Sequence, residues 1–501
     1  MKILKSFYNQ PGSAAFNILA NLSGRFWSSL LSLWSVPIFI SMLGAESFGL
    51  IGFFSTFDVL FNFLDFGLST TINREIARNM AQGGDPGKNK SILRTFETIY
   101  WSIGIFILLC MLASSGWIAA NWVKIDNLSI SDVRTALMVI SVAFWARWPV
   151  SLYTGVLRGL QTQVIQNVIL VVSATVKVAG GILALNLLAP TIRVYVTWYA
   201  FACVFEITLV SLAAWGQLNR ISLSSIALFD WSVIQRTWKF ALSFNLTGVI
   251  GVLIASADRI VISKVLPLSQ LGYYSVASTA AGAMPMVSTA LMTAFFPKFV
   301  SASVEKDNRL LNKSFWFTFE LCCFISIGLA LFVVFYSREL LQIWTASNEV
   351  VLNANLPVVF LALANMVNAI TSVPYTLLVA QGHTKVTLFF NVAAAIIFIP
   401  AQILIIPVYG LPGAAIIFLL FNSAMLLYYL FFTNRLIMRG NFLKPVAMIT
   451  SSYALIGLFC MGLPGLLSTG ITQIIIQILF GLLYILFGVA VLKSGRMYPR
   501  A

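Results

Sequence analysis

Apolar runs long enough to cross a bilayer recur along this entire chain, and no other feature constrains its fold as strongly. A membrane-crossing helix needs about 20 apolar residues. Spans of that kind are read at 13–42, 47–72, 94–121, 133–158, 164–188, 193–219, 240–266, 271–297, 315–337, 350–380, 387–407, 412–434, 446–464 and 471–492, about fourteen in all. Charged residues make up 9% of the 501 and hydrophobic ones 59%, whereas soluble domains carry roughly 25% charged residues. The pattern predicts an all-α polytopic membrane protein. The first run extends about 30 residues from Ser13 with no small-residue cleavage site closing it. That is too long for a signal-peptide core, so it is expected to remain as a helix.

The loops add two bounds. The longest, about residues 73–93, is too short for a catalytic domain. A membrane glycosyltransferase, polymerase or ligase is therefore disfavoured, and the chain is expected not to be an enzyme. The 31 lysines and arginines outnumber the 16 acids, for a net charge of +15. With the N-terminus in the cytoplasm, most of these cations fall on the inner side, among them Lys2, Lys5, Arg74, Arg78, Lys88, Lys90 and Arg94, Lys298 to Lys313, and the tail from Lys493. Only Lys124, Arg134, Arg193, Lys264 and Arg338 remain in outer loops. The bias predicts cytoplasmic N- and C-termini and attraction to anionic lipid, and it needs no nucleic-acid partner. The cysteines Cys110, Cys203, Cys322, Cys323 and Cys460 lie in apolar spans without zinc or redox spacing, so no metal and no cofactor is expected.

A weak repeat runs at an offset of about 223. SFGLIGFFST (Ser47–Thr56) resembles QLGYYSVAST (Gln270–Thr279), with Gly49 opposite Gly272. Pro149 in the fourth span answers Pro374 in the tenth, and Gly159 in LRGLQTQ answers Gly382 in VAQGHTK. The copies are an even number of spans apart, so both enter the membrane in the same direction. The expected organisation is two parallel six-helix lobes, 1–220 and 221–440, with a site between them near the midplane, and an appendage at 441–501 holding the last two spans.

Ionisable groups deep in a span are costly and normally face a cavity or a partner. The first span carries Asn17, Asn21, Arg25, Ser28 and Ser32, and the second Ser55, Asp58, Asn62, Asp65 and Ser69, at helical spacings of three and four. Arg147, Ser151, Thr154 and Arg158 mark the fourth span; Gln163, Gln166, Ser173 and Lys177 mark the fifth. Arg25, Asp58, Arg147, Lys177 and Glu206 sit roughly 11–14 residues into their spans, near mid-bilayer at about 1.5 Å per residue. This layer holds one cation more than its anions. Lys177 with Glu206, and Arg25 with Asp58, are candidate structural pairs, which would leave Arg147 to face a ligand. Asp65, in a kinase-like DFG that no glycine-rich loop accompanies, either latches an inner gate by pairing with Arg158 or hydrogen-bonds a neighbouring helix. Asp258 and Arg259 lie toward the outer end of span seven, where Arg259 can snorkel. The second lobe has amides instead (Asn365, Asn368, Asn391, Gln402, Asn422), expected to serve helix packing. His383, in a cytoplasmic turn, is expected to be solvated.

The stretch PIFISMLGAESFGLIGFFSTFDVLFNFLDFGLSTTINREIAR (Pro37–Arg78), with LRGLQTQVIQN (Leu157–Asn167), ADRIVISKVLPLSQLGYYSVAS (Ala257–Ser278) and YGLPGAA (Tyr409–Ala415), resembles the Wzx-type polysaccharide-export flippases. These belong to the multidrug/oligosaccharidyl-lipid/polysaccharide (MOP) exporter superfamily, with the lipid II flippases and MATE drug exporters. The resemblance implies transfer of an undecaprenyl-diphosphate-linked oligosaccharide (an O-antigen, capsule or exopolysaccharide precursor) across a bacterial inner membrane by alternating access, beside a polymerase and other glycan-assembly proteins. Fourteen spans look more like the lipid II flippases, whose last two helices form a groove for the lipid tail. Elementary energetics agree. An unpaired hydroxyl in hydrocarbon costs roughly 4–8 kcal/mol, so an oligosaccharide needs a polar path. A diphosphate needs cations, which Arg25, Arg147 and Lys177 can supply, with Asp58, Asn21 and Asn62 beside them. Two negative charges moving outward gain about 4.6 kcal/mol at 100 mV. A coupling ion is left open. A MATE-like exporter of cationic drugs is the main rival, and it should concentrate unpaired acid where this chain has net cation.

Overall fold

The computed structural model describes residues 14–63, 65, 67–82, 86–221, 229–438, 442–467 and 471–494. Each expected span is helical, because hydrocarbon offers no other partner for backbone N–H and C=O groups. Helix α1 (Ala14–Phe63) contains spans one and two, separated by a kink at Gly44 with φ 79°. Helix α13 (Thr384–Thr433) contains spans eleven and twelve in the same way, with its kink at Gly410 at φ 60°. Both kinks use a left-handed backbone that a side chain would strain. The remaining single spans are α3 (Pro86–Trp117), α6 (Gln163–Leu187), α7 (Ile192–Ile221), α8 (Trp231–Val265), α11 (Asn308–Thr345), α12 (Asn348–Ala380), α14 (Leu443–Leu467) and α15 (Ile471–Ser494). Among the described residues, ten helices are long and apolar enough to cross a membrane.

Three spans are not continuous. Span two stops at Phe63 and resumes as α2 (Leu68–Ala81). Span four divides into α4 (Ile130–Arg147) and α5 (Val150–Gly159), interrupted at Trp148 and Pro149. Pro149 caps α5, where its missing N–H costs nothing. Span eight divides into α9 (Leu268–Ala280) and α10 (Ala283–Val304). Pro374, matched to Pro149 in the repeat, instead sits inside an unbroken α12.

The chain forms two compact units, Met1–Gly272 and Tyr273–Ala501. The first is filled by Leu50, Ile72, Ile76, Leu93, Phe96 and Tyr100, all at 2% exposure or less. The second is filled by Phe299, Phe315, Phe319, Tyr429 and Tyr453. Outward faces stay apolar, as at Phe106, Leu109, Leu404 and Leu486, which suits contact with lipid tails.

One end of the first unit is tied by polar contacts. The Glu46 carboxylate accepts the backbone N–H groups of Asp126, Asn127 and Leu128 at 2.7, 2.8 and 3.1 Å. The Leu268 N–H donates to the Lys124 carbonyl at 2.9 Å, and Lys124 Nζ to the Val265 carbonyl at 2.6 Å. Gly49 and Gly272, the matched pair of the repeat, meet here. A Cβ on Gly49 would lie 1.9 Å from the Leu268 carbonyl, and one on Gly272 2.1 Å from that of Ala45. Only glycine permits two helix backbones to approach this closely.

Candidate functional site

A polar cavity of about 390 Å³ opens inside the first unit. It is lined by Asn21 and Arg25 of α1, Ser69 of α2, Arg147 of α4, Ser151, Thr154 and Arg158 of α5, Gln163, Gln166 and Asn167 of α6, and Glu206 of α7. The polar stripes expected on spans one, two, four and five thus converge on one space.

The helix break beside Asp65 builds one wall. Gly67, at φ 71°, allows the turn that starts α2. Asp65 Oδ2 accepts from the Ser69 N–H at 3.2 Å and the Ser69 hydroxyl at 2.6 Å. A carboxylate in this position also favours the positive end of the new helix. Asp65 Oδ1 accepts from the Tyr100 hydroxyl of α3 and from the Ser151 hydroxyl of α5, the latter at 3.2 Å. Asp65 is 8% exposed. It does not form the latch with Arg158: its acceptors are taken by hydroxyls and the new helix, and the Arg158 guanidinium donates through Nε to Gln166 Oε1 at 3.3 Å. Gly155 and Gly159 bring α5 against α2, since a Cβ on either would lie 2.6 or 2.8 Å from the Ser69 or Asn73 carbonyl.

The mid-membrane charges pair differently from one of the two expected arrangements. Arg147 Nη1 lies 3.0 Å from Asp58 Oδ2 and donates to the Tyr199 hydroxyl at 2.6 Å. Lys177 Nζ meets Glu206 Oε2 at 2.5 Å, with the Tyr199 ring centroid 5.8 Å away. Lys177–Glu206 is therefore a real pair, and Asp58 belongs to Arg147 rather than Arg25. Arg147 still lines the cavity, but its charge is matched. The surplus cation is Arg25, which has no carboxylate partner among the described residues. Packing explains this. Asn21 Nδ2 donates to Gln163 Oε1 at 2.8 Å, and Asn167 Nδ2 to Asn21 Oδ1 at 2.6 Å. These amides fasten α1 to α6 and leave Arg25, one turn on, exposed beside Arg158, which it repels. The cavity thus holds two arginines, Arg25 and Arg158, with no carboxylate partner among the described residues.

The side chain of Asn62 lies outside the described residues. Asp258 is buried outside this cavity and accepts the Arg259 N–H at 2.7 Å. In the second unit the amides act in packing. Asn365 Nδ2 reaches the Ala281 carbonyl at the α9–α10 break at 2.9 Å, and Asn368 Nδ2 reaches Asn422 Oδ1 at 2.7 Å. Sequence reasoning missed Asn167, which the spacing Gln163 to Asn167 signals, and Tyr199, for which only its turn-spaced stack on Tyr195 gives a hint. It also missed Glu320, wholly buried in span nine and accepting from the Tyr453 hydroxyl at 3.1 Å. A separate groove of about 500 Å³ between α14 and α15 is walled by Leu455, Phe459, Leu483, Leu486 and Phe487.

Comparison with known proteins places the chain in a family and a fold. Residues 14–303 match the family described as "Polysaccharide biosynthesis protein". A "Putative O-antigen transporter" of Shigella flexneri is 26% identical over 409 residues, 80% of this chain and 93% of that protein. Among solved structures, a lipid II flippase, MurJ, in an inward closed conformation superposes with a TM-score of 0.73 at 14% identity, covering 96% of this chain and all of that one. An inward-facing MATE-family multidrug transporter of the MOP superfamily gives 0.66 at 15% identity, covering 82% and 94%. At these identities the likeness shows a shared, nearly all-helical membrane fold.

Proposed function

The chain belongs to the polysaccharide biosynthesis protein family and is a multi-pass membrane protein, and we propose that it is a flippase for an undecaprenyl-diphosphate-linked oligosaccharide repeat unit. In this reading the protein lies in a bacterial inner membrane with both termini in the cytoplasm. It moves its substrate from the inner to the outer leaflet by alternating access, and a polymerase extends the glycan afterwards. It transports and does not catalyse.

The observation that carries the reading is the pair Arg25 and Arg158 in a polar cavity, with no carboxylate partner among the described residues. Two neighbouring guanidiniums with no acid partner among the described residues favour an anion between them, and a diphosphate offers the bidentate oxygens that arginine fits best. The surrounding amides and hydroxyls suit the first sugar. At about 390 Å³ the cavity falls in the range of small-ligand sites, roughly 300–1,000 Å³, so it takes the diphosphate end and not a whole oligosaccharide. The apolar groove between α14 and α15 suits the polyprenyl tail. A cationic-drug exporter is disfavoured, because Asp58 and Glu206 are already consumed by Arg147 and Lys177. A peptidoglycan-precursor substrate shares the diphosphate and the tail, and the sugar alone separates it from this reading.

The test is surface glycan in cells whose only copy carries Arg25→Ala or Arg158→Ala. Loss of the glycan, with normal amounts of protein in the membrane, is expected. Normal glycan in both variants removes the diphosphate role.

A further inference from the structure

A second polar cluster lies away from that cavity, at the basic end of α3. Arg94 Nη1 pairs with Glu97 Oε2 at 3.0 Å, and the Arg94 guanidinium stacks over the Trp215 ring of α7 at 4.5 Å. Glu97 Oε1 accepts from the Tyr153 hydroxyl and from Trp215 Nε1, each at 2.7 Å. The cluster sits at one end of a slot of about 400 Å³ between α3 and α7, backed by Tyr153 of α5 and bounded by Trp101 and Ser211.

The slot is graded along its length. On α3 the face that begins with Arg94 and Thr98 continues through Trp101 to Ile105 and Leu109, which are 50% and 59% exposed. On α7 the face that begins with Trp215 and Ser211 continues through Val204 and Phe201, also exposed. A polar end therefore passes into two apolar walls that face the bilayer. Aromatic residues with a polar edge belong at the headgroup level of a membrane, as Trp101, Tyr153 and Trp215 are here.

The charge at the polar end is unbalanced. Glu97 is the acid that Arg94 meets. It uses a single nitrogen of Arg94, whose Nε has no partner among the described residues and whose side chain is 43% exposed. A guanidinium offers five donors, so most of this fork is unused. Lys90, buried one helical turn before Arg94, and the exposed Lys88 add two cations, against Glu97 and Asp230, whose N–H donates to the Thr95 hydroxyl at 2.9 Å, so the end keeps a net positive charge among the described residues.

We propose that this slot is a lateral binding site for an anionic membrane phospholipid. Its headgroup phosphate sits on Arg94, and one acyl chain lies along Trp101 toward Ile105 and Leu109. The site is distinct from the substrate cavity and holds whether or not the cargo is a glycan lipid. Anionic lipid is the fitting occupant because the polar end carries excess cation and the rest of the slot is hydrocarbon-faced, which a soluble phosphate does not use.

Native mass spectrometry of the purified full chain tests this with palmitoyl-oleoyl phosphatidylglycerol, phosphatidylcholine of the same chains, and inorganic phosphate. One tightly held phosphatidylglycerol is expected, preferred over phosphatidylcholine by about 10-fold or more, because both carry the phosphodiester but the choline cation is repelled at the basic end of the slot. Arg94→Gln should remove that binding step. Ser211→Trp, which fills the slot and leaves the charged cluster intact, should remove it as well while the helical circular dichroism stays unchanged. Equal retention of both lipids, or retention unaffected by both variants, overturns the proposal. Full displacement of phosphatidylglycerol by inorganic phosphate also overturns it, since the site would then bind a free anion.

Discussion

The two units solve the same problem in different ways. Both must hold polar side chains in hydrocarbon. The second does so mainly with neutral groups, with Glu320 under the Tyr453 hydroxyl as its fully buried acid: Asn368 donates to Asn422, Asn422 Nδ2 donates to the Phe418 carbonyl at 2.8 Å, and Asn365 covers the carbonyl freed at the α9–α10 break. Among the described residues, every ion pair lies in the first unit. There the charges come as Asp58–Arg147 and Lys177–Glu206, with Arg25 and Arg158 left over. An amide that finds a partner needs nothing further. A guanidinium without a counter-charge does, and that difference is the ground for proposing ligand binding in the first unit and packing in the second.

Substitutions can break this contrast, and the largest effect should come from the surplus cations. Arg25→Gln with Arg158→Gln should lower export by at least about 30-fold, since losing one partner of a desolvated charge pair costs about 2–5 kcal/mol. Protein abundance in the membrane should stay level. The matched charges should behave oppositely. Lys177→Ala alone should destabilise by about 3–5 kcal/mol, because it strands Glu206, while Lys177→Met with Glu206→Leu should return close to the parent. Thermal unfolding in detergent measures both. Asp65→Ala should cost about 2–4 kcal/mol by orphaning the Tyr100 and Ser151 hydroxyls and the start of α2. The exchange Asp65→Arg with Arg158→Asp should not rescue either single variant, as these side chains do not meet. In the second unit, Asn422→Leu should cost only about 0.6–2 kcal/mol and leave export per folded molecule unchanged. A strong, export-specific defect there would dissolve the contrast.

These differences explain what could be read in advance. The spans were legible because hydropathy and length suffice where the backbone has one way to be satisfied. Their interruptions were not. Asp65, Gly67 and Arg147 stand at two of the breaks but among residues apolar enough to continue a span, and Pro374 is helical where Pro149 is not. The layer of mid-membrane charges was legible from depth along each helix. Its pairing was not, because depth says nothing about rotation around the axis. Asp58 lies level with both Arg25 and Arg147, and the Asn21–Gln163–Asn167 contacts decide that Arg147 takes it. Asp65 was legible as important; its role as the knot of a broken helix needed Tyr100, a residue in no polar stripe.

The most direct test of the central claim is equilibrium binding of undecaprenyl diphosphate to the purified chain, wild type against Arg25→Gln/Arg158→Gln, with Asn368→Ala/Asn422→Ala as the second-unit control. The account predicts a loss of about 30-fold or more in affinity for the arginine variant and parent-like binding for the amide variant. Equal binding by wild type and the arginine variant, or a loss confined to the amide variant, would contradict it.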